Sequence, residues 1–298
     1  MKKKIYITGS SGFVGNYLTY YFGNKYDITL FKRNSHYLFS GEVVIHLAGK
    51  AHDLNNVENP FEYYEINTNL TKKIFDQFIN SNSTIFITLS SVKAAADKLD
   101  SVLTEEHHPN PITHYGKSKL LAEKYIFSKT LPAGKRVYIL RPCMIHGPGN
   151  KGNLNLLYKF VCKGFPWPLG AFENKRSYCS IDNLCFIIDE LVNNNAIPSG
   201  VYNVADNESI ATNDLIKLIA ESKGKKPLIW NISRSIIKFL SKLGDFFCLP
   251  LNSERLNKLT ESYIVSNNKI ITAINKPLPL STKEGLMKTL NSFNSNVK

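Results

Sequence analysis

The sequence predicts an α/β fold, with a doubly wound parallel sheet and a smaller mixed α/β lobe towards the C-terminus. Short apolar runs alternate with segments of helical periodicity through the first half of the chain, which is the pattern of successive βα units. The first apolar run leads into a glycine turn and then a helix start. A chain of 298 residues, of which 43% are hydrophobic, is long enough to bury the core of such a fold.

The glycine turn is the stretch Thr8-Gly9-Ser10-Ser11-Gly12-Phe13-Val14-Gly15, which follows Ile5-Tyr6-Ile7. Gly9 permits a tight turn, Gly12 lets the main chain approach phosphates, and Gly15 lets the helix lie close to the sheet. Backbone N–H groups and the positive end of the helix dipole favour a pyrophosphate there. We therefore predict a Rossmann-type dinucleotide site with these cofactor-binding residues: Gly9, Ser11, Gly12, Phe13 and Val14.

The remaining elements follow from the same two periodicities. Six runs are predicted as strands: 5–7, 27–31, 42–49, 84–89, 136–140 and 201–204. Helices are predicted over 14–22, 63–79, 115–127, 180–192, 215–222 and 236–247. Little chain separates the second and third runs, so an abbreviated strand is expected around Tyr37-Leu38-Phe39. The nucleotide-binding domain is predicted to span 1–149 and 178–206, and the smaller lobe 150–177 and 207–298.

The second strand runs into Lys32-Arg33, where an NAD-binding fold would place an acidic residue for the ribose 2′-hydroxyl. A basic side chain at this position suits the 2′-phosphate of NADP instead. We therefore expect Lys32 and Arg33 to bind the cofactor, and NADP to be preferred over NAD. The alternative interpretation is that both are solvated loop charges.

The third strand ends in Leu47-Ala48-Gly49, and the small Ala48 and Gly49 let a cofactor pass close to the main chain. We assign these three residues to the cofactor site, together with Asn67 on the following helix. His46 lies in the same apolar run and is interpreted as a hydrogen-bonded core histidine rather than a catalyst.

Ser90 and Ser91 follow the strand 84–89 at the carboxyl edge of the sheet, where ligands of such folds bind. One loop later, Tyr115 and Lys119 are four residues apart, which places both side chains on one helical face. The ammonium is expected to lower the phenol pKa and to make the tyrosine usable as an acid or base. The same spacing occurs twice elsewhere, at Tyr21/Lys25 and Tyr125/Lys129. The position of Tyr115 after the serine-bearing strand distinguishes it.

The net charge of +13 favours anionic partners such as nucleotide phosphates, nucleic acid or an acidic membrane surface. The basic residues are scattered without a nucleic-acid motif, so nucleic acid is not an expected partner.

The five cysteines lack metal-ligand spacing; we expect reduced, buried thiols and no metal site. No signal core or membrane span of about 18 apolar residues is found, so a soluble cytoplasmic protein is expected. The predicted helix 236–247 is amphipathic and basic. We interpret it as packed within the smaller lobe, with contact to a membrane surface as the alternative.

With these motifs in register, the chain resembles the extended short-chain dehydrogenase/reductases, in particular the NAD(P)-dependent epimerase/dehydratase family acting on nucleotide sugars. The resemblance extends over about residues 4–285 and rests on these stretches: Thr8 to Gly15, His46-Leu47-Ala48-Gly49, Ser90-Ser91, Tyr115 to Lys119, Leu140-Arg141-Pro142, His146-Gly147-Pro148-Gly149, Lys175-Arg176-Ser177 and Ile181-Asp182-Asn183-Leu184.

The resemblance implies a catalytic role for three residues. Ser91 would hydrogen-bond the sugar oxygen at C4, Tyr115 would exchange its proton, and Lys119 would bind the nicotinamide ribose. Hydride would move between sugar C4 and the nicotinamide ring, which is chemistry that the cofactor supplies and the protein orients.

The resemblance also implies residues that bind the substrate. Arg176 and Asn153 would meet the diphosphate of the nucleotide sugar, with Asn150 or Asn155 as alternatives to Asn153. Ser91 and Lys93 complete the predicted substrate-binding set. A homodimer formed through the helices that follow Asn67 and Tyr115 is a further expectation of the family.

The type of reaction within the family is predicted from the residues that follow Ser91 and from Lys32-Arg33. Val92-Lys93 follow Ser91 where sugar 4,6-dehydratases of this family carry an acidic pair, so dehydration is disfavoured. The sequence is similar to a branch associated with bacterial surface polysaccharides, which leaves 4-epimerases and 4-ketoreductases. Lys32-Arg33 favour an exchangeable NADPH, and therefore a reductase of a UDP-linked 4-keto sugar such as an N-acetylated 6-deoxyhexose. The alternative is a UDP-hexose or UDP-GlcNAc 4-epimerase with retained NAD. A second alternative is a non-catalytic NADP-binding regulator, against which the retained catalytic residues argue.

Overall fold

The computed structural model describes residues 1–31, 39–51, 59–150, 152–247 and 252–295, with residues 294 and 295 described by their backbone only. Its strands in chain order are β1 (Lys4–Thr8), β2 (Asp27–Phe31), β3 (Val43–His46), β4 (Ile85–Leu89), β5 (Arg136–Pro142), β6 (Met144–His146), β7 (Lys175–Arg176), β8 (Tyr178–Ser180), β9 (Gly200–Val204) and β10 (Ile210–Ala211). Six of them form one parallel sheet in the order β2-β1-β3-β4-β5-β9.

The six strands of this sheet are the six apolar runs of the sequence, and the predicted fold class is confirmed. β3 ends at His46 rather than at the predicted Gly49. Leu47 N still donates to Thr8 O (3.1 Å), and residues 47–48 then pass close beside Gly9 at the end of β1. Phe39 is buried but belongs to no strand, while Tyr37 and Leu38 lie outside the described residues. The abbreviated strand expected there is therefore not found at Phe39.

The helices cover both faces of the sheet and the second lobe. In chain order they are α1 (Phe13–Phe22), α2 (Phe61–Tyr63), α3 (Leu70–Ile79), α4 (His114–Phe127), α5 (Asn153–Cys162), α6 (Ile181–Asn193), α7 (Thr212–Glu221), α8 (Arg234–Phe246), α9 (Ser253–Thr260), α10 (Asn268–Ile274) and α11 (Thr282–Ser295). A π-helical turn, Tyr64–Asn69, joins α2 to α3 and replaces the regular helix that periodicity predicts over 63–79. Such turns are frequent at functional sites, and this one contains Asn67.

Side chains of each strand alternate between the two faces, which explains why both carry helices. Ile5 and Ile7 pack with Leu18 of α1 and Leu184 of α6 in one hydrophobic cluster. Tyr6 faces the other way, into a cluster with residues of α3 and α4. Strands buried on both faces read as continuous apolar runs, which is the pattern that the sequence shows.

The C-terminal lobe has two hydrophobic clusters of its own. The first joins α5, α7 and α11, and the second packs Trp167 and Phe172 against α7, α8 and α9. Two small sheets, β7-β10 and β6-β8, accompany it.

Cys143, Cys179 and Cys185 are free and buried, as expected, whereas Cys162 is free and half-buried. Cys248 lies outside the described residues. Among the helices of the described part of the chain, none has the length and hydropathy required to span a membrane.

Candidate active site

The glycine turn lies between the end of β1 and the start of α1, as predicted. Gly9 has a φ of +73°, and a Cβ there would lie 2.4 Å from Ala48 N. A Cβ on Gly15 would lie 2.2 Å from Gly9 O. Gly12 is the N-cap of α1 and provides no side chain to occupy the first N–H groups of the helix. The turn thus presents backbone donors and a helix N-terminus, which fits a pyrophosphate.

Around the turn, the other predicted cofactor residues occupy accessible positions. Ser11 is exposed, and Phe13 and Val14 are half-buried in the first turn of α1. Leu47 and Ala48 are half-buried beside Gly9, and Gly49 is exposed. The residues present therefore fit a dinucleotide that lies across the carboxyl ends of β1 and β3.

We expect Gly9→Ala to weaken NADPH binding by more than tenfold, because the added Cβ would overlap the 47–48 backbone and shift the turn from the phosphates. Gly134→Ala is the matched control, since Gly134 has a φ of +81° but no atom within 4 Å of the added Cβ. Fluorescence titration with NADPH measures both variants. Equal affinity of the two would contradict the close approach at Gly9.

Asn67 fixes the chain that follows Gly49. Its Oδ1 accepts from Lys50 N (2.8 Å), and its Nδ2 donates to Lys50 O (3.1 Å) and Ser118 Oγ (3.1 Å). Asn67 is 1% exposed. Its described contacts are therefore with the protein, and its part in cofactor binding stays a prediction.

Ser91, Tyr115 and Lys119 come together at the carboxyl end of β4. Ser91 is the N-cap of a short 3₁₀ turn, Val92–Ala94, and hydrogen-bonds the phenol of Tyr115. Lys119 Nζ donates to Leu89 O (2.9 Å), and a Cβ on Gly49 would lie 3.1 Å from that Nζ. Lys119 therefore lies between the end of β4, which leads into Ser91, and the chain at Gly49 that follows β3.

The pKa of Tyr115 differs from the sequence expectation. Desolvation raises it, and the hydrogen bond from Ser91 offsets part of that rise. The Lys119 ammonium donates to the Leu89 carbonyl (2.9 Å). Desolvation lowers the pKa of Lys119 to about 8, against the opposing charge of Glu123. The expected lowering of the phenol pKa is therefore wrong for the protein on its own.

The two other Tyr-x-x-x-Lys pairs are surface pairs. Tyr125 donates to Asp76 Oδ2 (2.7 Å), and Lys129 lies 4.7 Å from the Tyr125 ring centroid. Tyr21 is 39% exposed on α1. His46 is the core histidine that was predicted. Its two ring nitrogens are hydrogen-bonded to the hydroxyls of Thr8 and Thr71, and burial lowers its pKa to about 3.

The sequence analysis missed a buried ion pair beneath these residues. Glu123 on α4 accepts from Arg141 Nε (2.9 Å) on β5 and from the Ser90 hydroxyl. Glu123 and Arg141 are 2% and 4% exposed. Glu123 follows Lys119 by one helical turn, a spacing that could have identified it. The contacts also distinguish the two serines, since Ser90 faces Glu123 and Ser91 faces Tyr115.

Lys93 and Arg176 are both predicted to bind substrate. Desolvation lowers the pKa of Lys93, and the nearby charge of Arg176 makes a smaller contribution in the same direction. Tyr263, which the sequence analysis missed, joins them. Lys93 Nζ lies 4.2 Å from its ring centroid, and Tyr263 pairs with Arg176 in a β-bridge. The Arg176 guanidinium donates to Lys258 O. Lys93 and Arg176 therefore both lie beside Tyr263, and the carboxylates of Asp97 and Glu261 also act on Lys93.

Asn153 is exposed at the first residue of α5. Asn150 and Asn155, the alternatives to Asn153, stabilise the loop before α5. Asn150 Nδ2 donates to Ile145 O (3.2 Å), and Asn155 Nδ2 donates to Asn150 O (3.5 Å). Their amides are therefore engaged, which leaves Asn153 as the candidate. Lys32 and Arg33 lie outside the described residues.

Residues 5–205 match the NAD dependent epimerase/dehydratase family. The chain is similar to the UDP-glucose 4-epimerase of Vibrio cholerae, with 28% identity over 98% of this chain and 96% of that protein. It is also similar to the N-acetyl-alpha-D-glucosaminyl-diphospho-ditrans,octacis-undecaprenol 4-epimerase of Escherichia coli O157:H7, with 28% identity over 76% of this chain and 74% of that protein.

Among solved structures, the fold is similar to that of RMD from Pseudomonas aeruginosa complexed with NADPH. The TM-score is 0.77 at 20% identity, over 100% of this chain and 99% of that one. The family match covers most of the chain and includes the glycine turn and the Ser91, Tyr115 and Lys119 arrangement. The chain therefore belongs to the NAD dependent epimerase/dehydratase family and is an enzyme of the short-chain dehydrogenase/reductase type.

Proposed function

We propose that this enzyme is an NADPH-dependent 4-reductase of a UDP-linked 4-keto sugar, such as an N-acetylated 6-deoxyhexose, in surface polysaccharide biosynthesis. The hydrogen bond between Ser91 and Tyr115, with Lys119 on the same helix, is the observation that carries hydride chemistry at sugar C4. The bound nicotinamide would supply the hydride.

The chain's own residues would handle the proton and the orientation of the sugar. Ser91 would hydrogen-bond O4 of the 4-keto sugar, and the Tyr115 phenol would give its proton to that oxygen as C4 gains hydride. The raised pKa of Tyr115 suits this direction, because a reductase requires the phenol to be protonated before the reaction. Lys119 would hold the nicotinamide ribose.

The surroundings of Ser91 argue against dehydration, which needs an available carboxyl group. Glu123 is bound by Arg141 and Ser90. The Asp97 carboxylate accepts from Ile112 N (2.6 Å) and Thr113 Oγ1 (3.0 Å), where it supports the start of α4. Both acids are therefore engaged, and Lys93 is found where a dehydratase would carry an acidic residue.

The choice of NADPH rests on the basic Lys32-Arg33, which suit a 2′-phosphate. A reductase consumes its reduced cofactor and must exchange it, whereas an epimerase returns the hydride and retains oxidised NAD. A 4-epimerase is the second candidate, favoured by the similarity to the Vibrio cholerae UDP-glucose 4-epimerase along nearly the whole chain.

We further propose that Lys93, Arg176 and Asn153 bind the diphosphate end of the substrate, since Lys93 and Arg176 both lie beside Tyr263. The free, buried thiols Cys143, Cys179 and Cys185 support a reducing compartment, the cytoplasm. A homodimer through α3 and α4 is proposed from the family and is tested by light scattering.

The deciding experiment first identifies the cofactor that co-purifies and its oxidation state. NADPH absorbance is then followed with a UDP-4-keto-sugar, and UDP-GlcNAc and UDP-GalNAc are incubated without added cofactor. One NADPH consumed per sugar supports the reductase. Interconversion without net cofactor change supports the 4-epimerase. NADPH binding without turnover of any nucleotide sugar would support the non-catalytic NADP-binding regulator.

We expect kcat/KM for NADPH to fall above about pH 8, because this parameter reports the free enzyme and the Lys119 pKa is about 8. Below that pH the ammonium is charged and can hold the ribose; above it the charge is lost. The raised pKa of Tyr115 keeps the phenol protonated over the same range. In Lys119→Arg the falling limb should move to higher pH, since a guanidinium stays charged. A wild-type profile that is flat to pH 10 would contradict this assignment.

A further inference from the structure

Helix α8 presents an apolar face to solvent. Ile237, Ser241 and Gly244 are its buried residues, and Ile237 packs into the cluster around Trp167. Five large apolar side chains point outwards: Ile236 (54% exposed), Phe239 (61%), Leu240 (45%), Leu243 (37%) and Phe246 (81%). At 3.6 residues per turn these five cover a continuous arc of about 120°. The helix therefore packs within the smaller lobe through its buried residues, as expected, but this packing leaves a second apolar face uncovered.

A basic stripe flanks that apolar arc. Arg234, Lys238 and Lys242 are spaced four residues apart and so lie along one side of the helix. Among the described residues, neither Lys238 nor Lys242 is paired with a carboxylate, while Arg234 Nε donates to Ala171 O (2.6 Å) and its Nη2 lies 4.0 Å from the Glu173 carboxylate. The one acidic side chain of the helix, Asp245, accepts from Ser253 N (2.9 Å). In the described part of the chain, the unpaired positive charge of the stripe is therefore that of Lys238 and Lys242.

The chain leading into α8 also exposes large apolar side chains. Leu228 and Trp230 are 52% and 56% exposed, while Ile229 between them is partly buried. Beyond the helix, Phe247 is 63% exposed. Tryptophan is favoured at membrane–water interfaces because its ring is apolar and its N–H is polar.

We propose that the outer face of α8 binds an anionic membrane surface, with the helix lying in the interface plane. An exposed apolar arc beside a lysine stripe is the arrangement by which interfacial helices insert their apolar side chains and keep their ammonium groups among the head groups. The net charge of +13 adds attraction to acidic lipids. A two-fold contact between copies would bring the same patch, with its lysines, against itself, which disfavours a dimer there.

The test uses the full-length protein and co-sedimentation with phosphatidylcholine vesicles, with or without phosphatidylglycerol. We expect binding to the anionic vesicles and little to phosphatidylcholine alone. Lys238→Gln/Lys242→Gln should weaken that binding about 30-fold, equivalent to ~1 kcal/mol for each lysine. Phe239→Ser/Phe246→Ser should abolish it. Lys2→Gln/Lys283→Gln, with the same loss of charge elsewhere on the surface, is the matched control.

Circular dichroism confirms that each variant is folded, and all side chains changed are exposed, so the fold should be retained. Absence of binding to either vesicle overturns the proposal, as does equal weakening by the two lysine pairs. If the protein ignores vesicles and Phe239→Ser/Phe246→Ser instead dissociates an oligomer in light scattering, the face is an interface between copies. Vesicle binding is measured without turnover, so its outcome is independent of the reaction proposed above.

Discussion

Tyr115→Phe is expected to lower kcat by about 10²- to 10⁴-fold, the range that a positioned general acid contributes. The substitution removes the hydroxyl that bonds Ser91 and would protonate the sugar oxygen, while the ring can keep its edge contact with Tyr63, whose centroid lies 5.9 Å away. NADPH affinity should change little, because the glycine turn and Lys119 are untouched. Steady-state kinetics with the 4-keto sugar and fluorescence titration with NADPH measure the two effects separately.

Tyr125→Phe is the matched control for this prediction. Tyr125 is on the same helix, has a lysine at the same spacing, and hydrogen-bonds Asp76 at the surface. We expect its kcat to stay within about twofold of the wild type, a change of less than ~0.5 kcal/mol in the activation barrier. Equal losses in the two variants would mean that Tyr115 acts only through the fold. Full activity of Tyr115→Phe would show that the phenol takes no part in the mechanism.

Arg141→Met is expected to lower the free energy of unfolding by about 3–5 kcal/mol, since it leaves the Glu123 carboxylate buried without its counter-charge. The pair is 2% and 4% exposed, and Glu123 also accepts from Ser90. Urea unfolding followed by circular dichroism gives the value. The double variant Glu123→Leu/Arg141→Met should recover much of the loss, because two apolar side chains of similar volume need no counter-charge.

The exposed pair Asp214–Lys217 provides the control for that experiment. Its side chains are 56% and 58% exposed, and Asp214→Ala should cost less than about 1 kcal/mol. If Arg141→Met costs no more than Asp214→Ala, the buried pair does not stabilise the fold. A stable Arg141→Met protein with low activity would instead indicate that the pair acts by holding α4 and its Lys119 against β4.

The buried pair explains how the catalytic helix is held. Glu123 follows Lys119 by one turn of α4, Arg141 is on β5, and Ser90 follows β4. The pair therefore ties α4 to the two strands whose carboxyl ends carry the site. Loss of this ion pair would let Lys119 move relative to the Leu89 carbonyl and Gly49, although neither Glu123 nor Arg141 contacts the proposed reacting atoms.

Most of the sheet was predictable because its signals are local. Burial on both faces makes each of the six strands a continuous apolar run, and the conformation required at Gly9 selects glycine whatever surrounds it. Strand ends were less predictable. β3 ends at His46, after which the chain passes close beside Gly9, a residue nearly forty positions earlier. The π turn around Asn67 was missed because apolar spacing does not distinguish it from regular helix.

The sequence by itself determined the six strands of the main sheet and the glycine turn, and it predicted the serine, the tyrosine and the lysine of the site, because these depend on spacing along the chain. Tertiary structure alone decided that burial raises the Tyr115 pKa and that Glu123 is paired with Arg141. It also decided that the apolar side of α8 faces solvent. Each of these depends on burial and on contacts between segments distant in sequence, and hydrophobic periodicity carries no record of which neighbour covers a side chain.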